Sequence, residues 1–119
     1  MSNPLRIAVS QERGDVPVTI LHLTGDLDSK TYTDLESKAD EALTKGSSRI
    51  LLDLKGVTFM GSAGLRAMHS ISKKLKSGGV GATLKLASPS DAVSRVLKTL
   101  GFDQVFDVYG TLDEALKSY

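Results

Sequence analysis

The chain has 119 residues, with 15 Lys and Arg against 14 Asp and Glu, 40% hydrophobic residues and no cysteine. A chain of this size buries about two-thirds of its unfolded surface, enough for one modest core and too little for a cleft between two large domains. The absence of cysteine excludes disulfides, thiolate zinc sites, iron–sulfur ligation and cysteine nucleophiles, and a formal net charge of +1 excludes a global basic field that would steer the chain onto nucleic acid or an anionic membrane.

Three Phe, three Tyr and no Trp leave little material for stacking bases. Aliphatic runs such as Ile50-Leu51-Leu52 fall far short of the ~20 residues that span a bilayer. Met1-Ser2-Asn3-Pro4-Leu5-Arg6 contains no apolar signal core, so the expected address is the cytoplasm and no membrane insertion is expected.

In chain order, Leu5 to Val9 reads as a short strand, Gln11 to Asp15 as a turn around Gly14, and Val18 to Leu23 as a second strand stopping at Thr24-Gly25-Asp26. Pro17 suggests that this strand begins at an edge or just after a bulge. From Thr31 the period becomes helical. Tyr32, Leu35, Ala39, Ala42 and Leu43 face inward and Lys30, Asp34, Lys38 and Glu41 outward, with Asp28 or Ser29 as the cap and Gly46 as the end. Ile50 to Leu54 is a continuous apolar run of strand length, as expected for a strand covered on both faces with a parallel neighbour.

Val57-Thr58-Phe59-Met60 leads to Gly61-Ser62-Ala63-Gly64 and a second helix, with Leu65, Met68, Ile71 and Leu75 inward and Arg66, His69, Lys73 and Lys76 outward. Ser77-Gly78-Gly79 fits its end. Ala82 to Ala87 is a strand, and Ser88-Pro89-Ser90-Asp91 caps a third helix carrying Val93, Val96, Leu97 and Leu100, closed by Gly101. Val105 to Val108 and Leu112 to Leu116 complete the chain as a strand and a helix. The order β-β-α-β-α-β-α-β-α, with short connections, predicts a single α/β domain over residues 1–119. Its sheet is mixed and mostly parallel, with about four to five strands and about four helices.

In such sheets the chemistry gathers where a strand's carboxyl end meets a helix start. Three junctions qualify: Thr24 to Lys30, Met60 to Leu65, and Ala87 to Asp91. In the second, two glycines flank Ser62 and Ala63 beside the bulky Phe59 and Met60. Ser62 there is either a helix cap or a hydroxyl offered at a helix N-terminus, where a phosphate would find N–H donors and a favourable dipole; the two readings are compatible.

Other motifs fail. A nucleophile elbow needs Gly where Met60 stands, and His22 and His69 are the only histidines available as bases. Gly56 to Ser62 has the spacing of a phosphate-binding loop but lacks its Lys, and Gly78-Gly79-Val80-Gly81 follows a helix rather than a strand. Ser70-Ile71-Ser72-Lys73 matches S-x-x-K in mid-helix without companion motifs, and chance explains it better. Asp26 and Asp28 could meet a hard cation, although a solvated loop or helix cap is the preferred reading. Lys73, Lys74 and Lys76 suit the negative end of a helix dipole better than nucleic acid. No metal, cofactor or catalytic set is expected.

The sequence resembles the STAS domain family, and within it the bacterial anti-sigma factor antagonists. The resemblance rests on Leu23-Thr24-Gly25-Asp26-Leu27-Asp28, on Leu52-Asp53-Leu54 running through Val57 to Leu65, on Ser88-Pro89 with Val93, Arg95, Val96 and Leu97, and on Leu100-Gly101-Phe102 with Val105-Phe106. It implies that Ser62 is a phosphoacceptor for an anti-sigma factor with serine kinase activity, and that a serine phosphatase reverses the modification. The unphosphorylated form would bind that partner in a switch controlling transcription, through Asp26, Asp28, Met60, Gly61, Ala63, Gly64, Leu65 and Arg66, as a monomer or weak dimer. Two positions depart from the family's usual Asp-Ser-Ser-Gly-Leu: Gly61 replaces the Asp and Ala63 the second hydroxyl. The alternative reading is a STAS scaffold without phosphotransfer, or a small-ligand module such as a lipid-transport accessory component.

Overall fold

The apolar run at Ile50–Leu54 occupies the middle of a five-stranded sheet. The computed structural model describes residues 4–13, 16–77 and 83–119. The strands are β1 (Arg6–Arg13), β2 (Pro17–Leu27), β3 (Arg49–Met60), β4 (Thr83–Ala87) and β5 (Asp107–Tyr109), and their order across the sheet is their order in the chain. β1 is antiparallel to β2, and every later pair is parallel. β3 therefore has a parallel neighbour on each side, and its residues alternate between two apolar layers.

Three helices, α1 (Tyr32–Thr44), α2 (Ser62–Ser77) and α3 (Asp91–Thr99), make the crossovers. Each parallel step advances in the same direction across the sheet, so right-handed crossovers place all three on one face. The larger core lies there, where Ile50, Leu52 and Leu54 meet Leu35, Met68, Ile71 and Leu97. A fourth helix, α4 (Leu112–Lys117), packs on the other face, with Ala115 beside Val18, Ile20, Leu51 and Ala87.

Several elements run further than the sequence suggested. β1 continues through Gln11, Glu12 and Arg13, which pair with Thr19, Val18 and Pro17, so the turn is confined to fewer residues than Gln11 to Asp15; Gly14 and Asp15 lie outside the described residues. Pro17 opens β2, a position where the missing N–H is tolerated. β2 does not stop at Thr24 but reaches Leu27, and β3 is one strand from Arg49 to Met60. Two pairing shifts, between His22 and Thr24 and between Gly25 and Asp26, each fit one extra β3 residue against β2.

α1 starts from Thr31 rather than from an Asp28 or Ser29 side-chain cap. It ends as expected at Gly46, with the Gly46 N–H on Leu43 O and the Ser47 N–H on Ala42 O. Ser90 caps α3 by accepting from Val93 N at 3.2 Å. Leu100 is 54% exposed instead of buried because it falls at the C-cap, beyond the helix's inward stripe. The expected strand from Val105 is displaced: a 3₁₀ turn at Phe102–Gln104 precedes it, Phe102 stacks on Phe106 at 5.8 Å, and β5 begins only at Asp107. The expected helix end at Gly78 and Gly79, and Ala82, lie outside the described residues.

Candidate functional site

Two of the three junctions meet at the carboxyl end of the parallel strands. The Gly61 N–H donates to Leu27 O at 2.9 Å, which ties the β3–α2 turn to the end of β2. The β2–α1 loop is closed on itself: Asp28 Oδ1 accepts from Lys30 N at 2.9 Å, the Asp28 N–H donates to Thr31 Oγ1 at 3.0 Å, and the Thr31 hydroxyl donates to Asp26 O at 2.8 Å. Asp26 lies on β2, where its Oδ1 accepts from the Thr58 hydroxyl on β3 at 2.7 Å. Both acidic side chains thus have structural partners. Among the described residues no group of three or more His, Asp or Glu stands close enough to hold a metal ion.

Ser62 is the first residue of α2 rather than its cap. Gly61 holds the cap position, and its carbonyl accepts from Gly64 N at 3.0 Å and Leu65 N at 3.3 Å. Ser62 is exposed, and no hydrogen bond of its hydroxyl is found among the described residues. The first turn of α2 carries no acidic residue, so no side chain of that turn offsets the positive end of the helix dipole beside that hydroxyl. Arg66, four residues on, is also exposed, and i,i+4 side chains share a helix face.

The other expected contact residues divide. Met60 is 3% exposed, and Ala63, Gly64 and Leu65 are also buried, so these four turn into the core instead of offering side chains to a partner. The cause is packing of the first turn of α2 on the end of β2: a Cβ at Gly64 would stand 2.7 Å from Leu27 Cγ and 3.0 Å from Leu27 O, so only glycine fits. Phe59, in contrast, is 54% exposed, because the extra β3 residue between Val57 and Phe59 turns both Thr58 and Phe59 outward. Its ring lies against Gly61, where an added Cβ would meet Phe59 Cε2 at 3.3 Å. The outward face of the site is thus Ser62, Arg66, Phe59 and the Gly61 backbone, flanked by Ser29 and Lys30.

A mixed five-stranded sheet with four helices is the fold of the STAS domain. Residues 8–115 match that family, and the chain belongs to it. The anti-sigma-F factor antagonist RsfB of Mycobacterium tuberculosis is 27% identical over 118 residues, covering 98% of this chain and 92% of its own. The crystal structure of an anti-sigma factor antagonist from Mycobacterium paratuberculosis superposes with a TM-score of 0.80 at 27% identity, covering 95% of this chain and 93% of that one. SpoIIAA, a Bacillus cell-fate determinant solved in unphosphorylated and phosphorylated forms, shares the fold at 21% identity: its unphosphorylated form gives a TM-score of 0.74 and covers 93% of this chain and 95% of its own.

Proposed function

We propose that this chain is one STAS domain acting in the cytoplasm as an anti-sigma factor antagonist, and that its docking surface is the exposed face around Ser62. The observation that carries the reading is the Ser62 hydroxyl, solvent-facing and without a hydrogen-bond partner among the described residues at the start of α2 in a STAS fold. In the unphosphorylated state, Phe59 supplies apolar contact area, and Ser62, the Gly61 backbone and Arg66 supply polar contacts. Asp26 orders the strand end behind them through Thr58.

Phosphorylation of Ser62 by a serine kinase activity of the anti-sigma factor adds about −1.5 to −2 charges to this small face. The helix start and Arg66 stabilise that phosphate within the chain. A partner surface shaped for a neutral serine then meets charge repulsion and a desolvation cost, and the complex separates; a serine phosphatase restores the binding form.

Incubation with a cognate kinase-type anti-sigma factor and labelled ATP tests the acceptor. Phosphate enters the wild-type chain and not Ser62→Ala, and equal incorporation in both would exclude Ser62. Titration calorimetry tests the switch: Ser62→Glu binds about tenfold more weakly or worse, a loss of ~1.4 kcal/mol. Unchanged affinity would remove charge at Ser62 as the control.

A further inference from the structure

On the sheet face opposite the three crossover helices, three adjacent strands bring Ser10, His22 and Asp53 into one hydrogen-bonded line. Ser10 Oγ lies 2.9 Å from His22 Nε2, and His22 Nδ1 lies 2.8 Å from Asp53 Oδ2. Asp53 is fixed from its other oxygen as well, since Oδ1 accepts from Lys55 N at 3.1 Å. With the carboxylate accepting from Nδ1–H, the Nε2 lone pair faces the serine hydroxyl. The His22 side chain is 33% exposed and that of Asp53 16%, so the histidine is held in place yet reachable from solvent.

We infer that Ser10 is an activated nucleophile, a covalent acceptor for acyl groups from activated esters and for phosphonyl groups, with His22 as its base and Asp53 as the residue that positions the imidazole. The connectivity is that of a serine–histidine–aspartate relay, which is recognised by its geometry and not by chain order or fold. Ser10 Oγ attacks the ester carbonyl carbon while its proton passes to His22 Nε2. The bond to the leaving group then breaks, C–O in an ester or P–F when Ser10 Oγ attacks the phosphorus of a fluorophosphonate, the departing oxygen or fluoride takes the proton from Nε2, and Ser10 is left as its acyl or phosphonyl ester. Ser10 sits in mid-strand at the sheet edge, where the edge-facing N–H groups of β1 are backbone donors for the transient oxyanion, with no dedicated pair of donors built around it among the described residues. The reaction is therefore a slow single modification of activated acyl donors, not rapid turnover. The site lies apart from Ser62 and stands independently of the function proposed above.

The test is labelling of the full chain with a fluorophosphonate and with p-nitrophenyl acetate, followed by peptide mapping. One adduct per chain is expected, on Ser10, with none at that position in Ser10→Ala. The rate falls by about tenfold or more in His22→Gln and in Asp53→Asn, while far-ultraviolet circular dichroism verifies their fold; if one variant does not fold, the other decides. No adduct, an adduct on another residue, or equal rates in the folded histidine or aspartate variant would each overturn the inference, because a merely structural hydrogen-bond chain would leave the labelling rate unmoved.

Discussion

A methyl group at Gly64 would stand 2.7 Å from Leu27 Cγ and 3.0 Å from Leu27 Cδ2, at the point where α2 leaves the sheet. Gly64→Ala must therefore push the first turn of α2 away from β2 or force Leu27 off its rotamer. Overpacking of this kind costs about 1–3 kcal/mol, so the urea midpoint should fall; an unchanged midpoint would mean that the first turn of α2 is free to shift. Phe59 gives the opposite expectation. Its ring is mostly in water, so Phe59→Ala should change stability by less than about 0.5 kcal/mol while weakening binding to the anti-sigma factor. The sequence makes Ser62 visible through the small residues around it. It hides Phe59, because simple alternation from the buried Val57 would send Phe59 inward and Met60 outward. The extra β3 residue that reverses this exists only once β3 pairs with β2, and a pairing partner some thirty residues away leaves no local mark.

The start of α3 and the end of α1 carry their own chemical punctuation and match their expected limits, whereas the strands, defined by their neighbours, do not. α3 begins where Ser90 and Asp91 announce it, and α1 ends at Gly46. Ser90→Ala should remove the bond to Val93 N and cost ~1 kcal/mol, read as a lower thermal midpoint; replacement by Asp, which also caps, should restore most of it. β1, β2 and β3 each outrun the expectation because strand length is set by the partner's length. Gln11 to Arg13 are polar and read as a turn, yet all three are paired in β1 against β2. The same non-local pairing aligns Ser10, His22 and Asp53, which lie 12 and 31 positions apart in sequence. No spacing rule relates three residues on separate strands, so their meeting had no legible signal.

At the scale of the whole molecule, the topology was legible from alternating periods and crossover handedness, but the closure of its second face was not. That face is sealed by α4 and the residues after it around a buried lysine. Lys85 Nζ donates to Ser118 Oγ at 2.8 Å and Ser118 O at 3.1 Å, and lies 4.2 Å from the centre of the Tyr119 ring. The Tyr119 hydroxyl donates to Ile50 O at 3.2 Å, which ties this segment to β3. Burial, reinforced by Tyr109, pushes the Tyr119 phenol well above the usual tyrosine range, against a smaller lowering by Arg49. A phenol that ionises less readily in the folded than in the unfolded chain contributes stability that is whole below the unfolded value of about 10 and is lost as pH rises toward the folded value. Thermal midpoints should therefore decline above about pH 10. Lysines also titrate there, so the deciding comparison is with Tyr119→Phe. That variant loses about 0.5–1.5 kcal/mol at neutral pH with the bond to Ile50, but its midpoint should fall less steeply above pH ~10. Parallel curves for the two proteins would show that Tyr119 ionises as readily in the folded chain as in the unfolded one, and that it does not hold the second face closed through burial of a neutral phenol.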